Sequence, residues 1–181
     1  MNVCIALIRG INVGGNNKIK MADLKIAFEQ LGFEEVRTYI QSGNVLFRSD
    51  LPEGELRTKI ESKLRDEFGV KKAVALIRTN AELQRILKDC PFTQTEIAEA
   101  SQLYVDMLDA PLSGEQAARI AEFAAEGERC VVKERDIYLL LRHSILDSGF
   151  AKLFEKMKLP LTSRNWNTMN KLGELARGME A

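Results

Sequence analysis

The sequence predicts an α+β protein built as a duplicated ferredoxin-like fold, a βαββαβ unit followed by βαββα and C-terminal helices. Three observations carry that expectation. Short all-apolar or alternating runs, the mark of strands, are interleaved with stretches whose apolar residues recur at i, i+3, i+4 and i+7, the mark of helices. The order of strand, helix, hairpin and helix in residues 1–78 starts again near residue 100 without sequence identity. Right-handed crossovers and sequential hairpins then favour an antiparallel sheet with the first and third strands central.

Taken in order, Val3 to Ile8 is an unbroken apolar strand that stops at Arg9. Leu24, Ala27, Phe28 and Leu31 form the inward stripe of a helix starting near Met21 and closed by Gly32, a good C′ residue. Val36 to Ile40 and Val45 to Phe47 flank Gln41-Ser42-Gly43-Asn44, where Ser-Gly reads as a two-residue hairpin turn. Leu56, Ile60, Leu64 and Phe68 recur every fourth residue on a second helix, with Glu55/Lys59 and Glu61/Arg65 pairs on its exposed side. Lys72 to Ile77 is the fourth strand.

A short helix, about Asn80 to Lys88, and a break at Cys90-Pro91-Phe92 lead into the second half. Leu103 to Leu108 is a strand, and Ser113 to Gln116 is a capping box opening a helix with Ala117, Ile120, Ala121 and Ala124 inward, which Gly127 stops. A hairpin runs from Arg129 to Lys133 and Ile137 to Leu141 around Glu134-Arg135. Two helical patterns, about Gly149 to Lys158 and Asn165 to Met179, are split by Pro160. The expected domains are 1–78, carrying a glycine-bearing loop, a linker with a short helix over 79–99, and 100–181 with the C-terminal helices.

Composition narrows the function classes. With 181 residues and 45% apolar content the chain can bury a core without metal or disulfide help. The 26 basic and 26 acidic residues cancel, so there is no global attraction to nucleic acid or to an anionic membrane, and any such binding must come from a local patch. Cys4, Cys90 and Cys130 are scattered, odd in number and free of C-x-x-C, which fits reduced thiols in a cytoplasmic protein. The N-terminal apolar run is too short for a signal peptide or a membrane span.

Arg9 to Gly15, R-G-I-N-V-G-G, sets a glycine loop between the first strand and the first helix. Gly10, Gly14 and Gly15 supply positive φ or close approach, Asn12, Asn16 and Asn17 tolerate the left-handed region, and Arg9, Lys18 and Lys20 stand at the rim. Backbone N–H groups at a helix N-terminus favour an anion. The loop is neither a Walker loop nor G-x-G-x-x-G, so the standard nucleotide motifs are excluded. A purely structural connection is the alternative. In the expected sheet order the end of the first strand and the tip of the following hairpin lie on one edge, which makes Ser42 and Asn44 neighbours of the loop.

Ser42 has no G-x-S-x-G around it, and the single histidine, His143, lies in the other half, so a hydrolytic triad needs long-range packing. One histidine and no paired cysteines argue against a structural zinc. Asp106 and Asp109, near a strand end, are the acidic residues whose placement hints at more. Arg164, Asn165 and Trp166 open the last helix, where Ser163 or Asn165 can cap it and the sole tryptophan either anchors the helix or stacks a base. The segment Asn44-Val45-Leu46-Phe47 lacks the aromatics of an RNA-recognition strand.

The run Arg9-Gly10-Ile11-Asn12-Val13-Gly14-Gly15, with Met21, Leu24, Gly32-Phe33, Val36-Arg37-Thr38-Tyr39-Ile40-Gln41-Ser42-Gly43-Asn44-Val45 and Phe47, resembles the signature of a family of bacterial proteins of unknown function. The resemblance extends to Arg164-Asn165-Trp166-Asn167-Thr168 and Lys171-Leu172. It implies a soluble α+β protein of duplicated ferredoxin-like build and no established reaction. Similar proteins carry a glycine-rich segment ending in Ser/Thr-Lys-Leu before the last helices. Here the segment is His143-Ser144-Ile145-Leu146-Asp147-Ser148-Gly149-Phe150-Ala151-Lys152-Leu153, and only Lys152-Leu153 keep that pattern cleanly.

The functional expectation is a small anionic ligand, phosphorylated or nucleotide-like, bound by Arg9, Gly10, Asn12, Gly14, Gly15 and Lys18 with Ser42 and Asn44 orienting it. The competing readings are a single-stranded nucleic-acid or protein-binding module using Arg164, Asn165 and Trp166, and a hydrolase or transferase using Ser42. No motif specifies a cofactor.

Overall fold

β1 (Asn2–Arg9) is buried from Val3 to Ile8 along its whole apolar run. The computed structural model, which describes residues 1–181, groups its contacts into two units: Met1–Arg85 with Lys171–Ala181, and Ile86–Asn170. In the first unit β1 is followed by α1 (Met21–Gln30), β2 (Glu34–Tyr39), β3 (Asn44–Ser49), α2 (Glu53–Phe68) and β4 (Val74–Thr79). The sheet order is β2-β3-β1-β4 and every pairing is antiparallel. Strands one and three are therefore central, and β1 and β2 run parallel with β3 between them.

Phe28 of α1 meets Phe33 and Phe47 edge-on at 5.8 and 5.5 Å, while Phe33 and Phe47 stack at 4.5 Å. α1 closes at Gly32 (φ 86°), where Phe33 N donates to Phe28 O and Gly32 N to Glu29 O, the pair of bonds that a left-handed C′ glycine allows. On α2 the charge pairing departs from the expected Glu61/Arg65. Glu61 instead accepts from Arg57 Nε at 3.1 Å and from Ala75 N at 3.0 Å, so it fastens the helix to β4, and Arg65 pairs with Asp66.

The second unit contains β5 (Gln102–Met107), α5 (Gly114–Glu122), β6 (Glu128–Lys133), β7 (Asp136–Leu141), α6 (Gly149–Lys156) and β8 (Thr162–Asn165), with sheet order β6-β7-β5-β8, again antiparallel. Together the halves make a mixed α+β protein with two four-stranded antiparallel sheets. α3 (Asn80–Lys88), α4 (Gln94–Glu99) and α7 (Trp166–Glu180) complete the chain.

Four expectations are corrected. The second half is βαββαβ, not βαββα: Thr162–Asn165 pairs with β5 as an edge strand, and α7 starts only at Trp166. Thr-Ser-Arg-Asn has no apolar alternation, because an edge strand can be held by backbone pairing alone. Residues 94–99 form a helix, opened by a Thr93/Glu96 capping box, inside the expected linker. The α5 helix stops at Glu122 and not at Gly127, because Phe123 turns extended (φ −82°, ψ 141°) and packs edge-on against Phe150 at 4.9 Å. The β2–β3 connection is a four-residue loop, Ile40 to Gly43, not a two-residue Ser-Gly turn; Tyr39 pairs with Asn44, and Ile40 (φ 47°) and Gly43 (φ 80°) are both left-handed.

Candidate functional site

The glycine loop is a miniature hairpin standing on the end of β1. Gly14 (φ 59°) and Gly15 (φ 77°) form its two-residue tip, closed by Asn16 N donating to Val13 O at 3.0 Å and by Asn12 N donating to Asn17 O at 3.1 Å. Two left-handed residues in succession suit this turn, which is why glycines occupy it. Asn12 (φ 53°) is the clip. Its Oδ1 accepts from Ile19 N at 2.7 Å, and its Nδ2 donates to Ile19 O at 3.1 Å and to Gln41 O at 2.9 Å. Asn17 Nδ2 donates to Gly10 O at 3.0 Å.

The β2–β3 loop joins the same edge. Ile8 N donates to Gly43 O at 2.8 Å, and buried Asn44 donates through Nδ2 to Tyr39 O at 3.1 Å and to Ser42 Oγ at 2.9 Å. Arg9, Gly10, Asn12, Gly14, Gly15, Lys18, Ser42 and Asn44 are thus brought onto one edge. Asn12 and Asn44 shape the backbone there, while Arg9, Gly14, Gly15, Lys18 and Ser42 are exposed. Gly43 is fixed by contact as well as by φ: a Cβ there would lie 2.9 Å from Ile8 O. Gly43→Ala is accordingly expected to cost about 2–4 kcal/mol of stability in urea denaturation, since backbone must move to admit it.

A third segment completes the edge. Arg9 pairs with Val74 at the start of β4, and a Cβ on Gly10 would lie 3.3 Å from Lys72 O, so Lys71 and Lys72 stand beside the loop, both exposed. Sequence reasoning overlooked these two lysines, because only the β1–β4 pairing brings them here. Residues 9–20, 40–45 and 69–74 contain Arg9, Lys18, Lys20, Lys71 and Lys72 and no Asp or Glu. The flanking carboxylates are Asp23, in the first turn of α1, whose Lys20 N-cap makes no side-chain cap bond, and Asp66 and Glu67 at the end of α2, which pair with Arg65 and Lys63. In a chain of zero net charge this is a local basic edge with exposed glycine backbone, the combination that attracts a multiply charged anion.

Arg164, Asn165 and Trp166 belong to the second unit. Asn165 Oδ1 accepts from Thr168 N at 2.9 Å and so caps α7. Arg164 donates to Ser163 O at 2.9 Å, and desolvation pulls its guanidinium pKa down to about 10. Half-buried Trp166 walls a cleft of about 580 Å³ with Cys90, Phe92, Gln94 and Asn170. Ser42 has no histidine within its own unit. His143 instead lies beside the carbonyls of Ser144 and Glu126 (3.1 and 3.3 Å) and 3.3 Å from Glu128 Oε1. No group of three His, Cys, Asp or Glu side chains comes together to hold a metal. The cysteines are free, and burial raises the thiol pKa to about 11 at Cys4 and about 12 at Cys130.

The family described as "Protein of unknown function (DUF1697)" matches residues 1–138, which take in the whole glycine-loop edge. The chain belongs to this family. Among curated proteins none matches it significantly. Among solved structures, this DUF1697 protein is similar to the conserved bacterial protein SP0830 from Streptococcus pneumoniae at 23% identity, with a TM-score of 0.77 over 97% of this chain and 98% of the other. At that identity the likeness speaks for the α+β fold alone. Arg164 to Thr168 lie beyond the matched residues of the DUF1697 family. No helix is long and apolar enough to cross a membrane.

Proposed function

We propose that the glycine-loop edge of the first unit binds a small anion bearing two or more phosphates, such as a nucleotide or a phosphorylated metabolite. The observation that carries this reading is the five basic residues, without an acidic one, in the three segments that meet there. In this reading Arg9 and Lys72 supply charge, the Gly14-Gly15 backbone approaches the phosphate oxygens, and Ser42, held by Asn44, orients the remainder. We take each half as a ferredoxin-like unit, a reading supported by its strand order, and the protein as cytoplasmic, a reading supported by its scattered free thiols.

Thermal-shift titration with inorganic phosphate, pyrophosphate, nucleoside triphosphates and sugar phosphates tests the reading. A ligand at about 100 times its Kd stabilises by about 2.7 kcal/mol. Arg9→Ala is expected to weaken pyrophosphate by about 1.5–3 kcal/mol, the scale of a charge-assisted hydrogen bond, with little change in Tm of the unliganded protein. Wild-type affinity in an Arg9→Ala/Lys72→Ala double variant would end the proposal.

A second reading, a single-stranded nucleic-acid site, is favoured by the Trp166 cleft. Quenching of Trp166 fluorescence by a short oligouridine, lost in Asn170→Leu, is the result that would select it.

A further inference from the structure

We propose that the second unit holds a separate small-molecule site, a pocket between the sheet and α6 that takes a primary amine with a compact apolar body and seats its ammonium on Asp106. The pocket has a volume of about 230 Å³. Its walls are Ile145, Ala151, Phe154, Leu159 and Leu161, and its polar groups are Asp106, Ser163 and Glu155. Asp106 lies in mid-sheet on β5, opposite Ser163 of β8 and Ile137 of β7, and is 4% exposed. Glu155 is exposed.

The chemistry of the occupant follows from these groups. A carboxylate has about four acceptor positions, and the Ser163 hydroxyl donates to Asp106. No lysine or arginine lines the pocket, so the charge that would compensate Asp106 is not supplied by the walls. The Asp106 charge acts on Tyr104 of β5 and Cys130 of β6, and Glu155 of α6 lines the same pocket; all three are acids. An anion would meet two carboxylates, and a neutral alcohol would satisfy one acceptor and leave the charge uncompensated. An ammonium satisfies both needs, while five apolar walls take a hydrocarbon body. A cavity of about 150 Å³ accommodates benzene, so this one has room for a six-membered ring and its aminomethyl arm.

The test uses the full chain, isotopically labelled, titrated by amide NMR at pH 7.5 with benzylamine, benzyl alcohol and benzoate, which share one ring. Benzylamine is expected to shift the amides of Ala151, Leu161 and Ser163 saturably, with benzyl alcohol at least about tenfold weaker and benzoate without effect. Asp106→Asn should weaken benzylamine by at least about tenfold while leaving the rest of the spectrum in place. Ala151→Leu, a substitution on a half-buried helical position that fills the pocket, provides a second variant that should block binding with Asp106 intact. Equal binding of the three probes, shifts confined to other surfaces, no shift at all, or undiminished binding by both variants would each overturn the proposal.

Discussion

Glu128→Ala is expected to lower the stability of the protein by about 3–5 kcal/mol, the cost of removing one partner from a buried, charge-assisted network. The Glu128 side chain is 1% exposed and sits at the N-terminus of α6. It accepts from Gly149 N at 2.7 Å, from Phe150 N at 3.1 Å and from Ser148 Oγ at 2.9 Å, while Ser148 Oγ accepts from Ala151 N at 3.0 Å. The first three N–H groups of the helix are thereby satisfied by one carboxylate and one hydroxyl. Alanine would leave Gly149 N, Phe150 N and the serine hydroxyl without that acceptor. In a chain of this size a loss of that order corresponds to a Tm lower by about 6–20 °C. Glu128→Gln, which keeps one acceptor oxygen, should cost about half as much. Hydrogen exchange at Gly149, Phe150 and Ala151 should quicken in both variants before global unfolding. An alanine variant within about 1 kcal/mol of wild type would mean that the cap contributes little.

The helix expected from about Gly149 is present as Gly149–Lys156, but its cap comes from outside its own segment. The helix N-terminus at Ser148-Gly149 is occupied by the protein's own Glu128 carboxylate, brought from β6 by the β6–β7 hairpin. Sequence spacing cannot reveal an acceptor that arrives from twenty residues away through tertiary packing. The same limit hid Lys71 and Lys72, which reach the glycine loop only because β4 pairs with β1.

What was legible had a local cause. Val3 to Ile8 is apolar at every position because both faces of the strand are buried, and Gly32 marks the end of α1 because the chain must turn left-handed there. The two-residue turn at Glu134-Arg135 follows from its flanking strands, with Lys133 paired to Asp136. The misreadings occur where packing overrides pattern. Phe123 ends α5 early to reach Phe150, and Thr162–Asn165 becomes a strand by edge pairing without any apolar alternation. At the candidate site, Arg9, Gly14 and Gly15 were visible as a motif. The structural employment of Asn12 and Asn44 was not, since it depends on carbonyls of another loop or strand.

Asp106→Asn should act in the opposite sense to most core substitutions and stabilise the protein at neutral pH. Burial pushes the Asp106 carboxyl up to about 6, and the Ser163 hydroxyl only partly offsets it. The unfolded chain holds this group near 3.8. Between those values the folded state binds the extra proton, so this group's contribution to stability falls as pH rises from about 4 to about 6 and stays low above that. A separation of about two pKa units corresponds to about 3 kcal/mol. Asparagine has nearly the same shape and no charge to desolvate, and the Ser163 hydroxyl can rotate to accept from its amide. Urea denaturation should therefore find the variant close to wild type near pH 4 and more stable by about 2–3 kcal/mol at pH 7.5, with the wild-type slope between them abolished. Cys130, whose thiol is pushed up partly by the Asp106 charge, should become easier to ionise in the same variant, which alkylation rates at high pH would register. A stabilised Asp106→Asn that no longer binds benzylamine would separate the two roles of this residue: the carboxylate costs the unliganded fold, and it is the amine that compensates it. An Asp106→Asn variant less stable than wild type at pH 7.5 would mean instead that the carboxylate is held by donors strong enough to outweigh its burial, and the pocket would then have no charge left to satisfy.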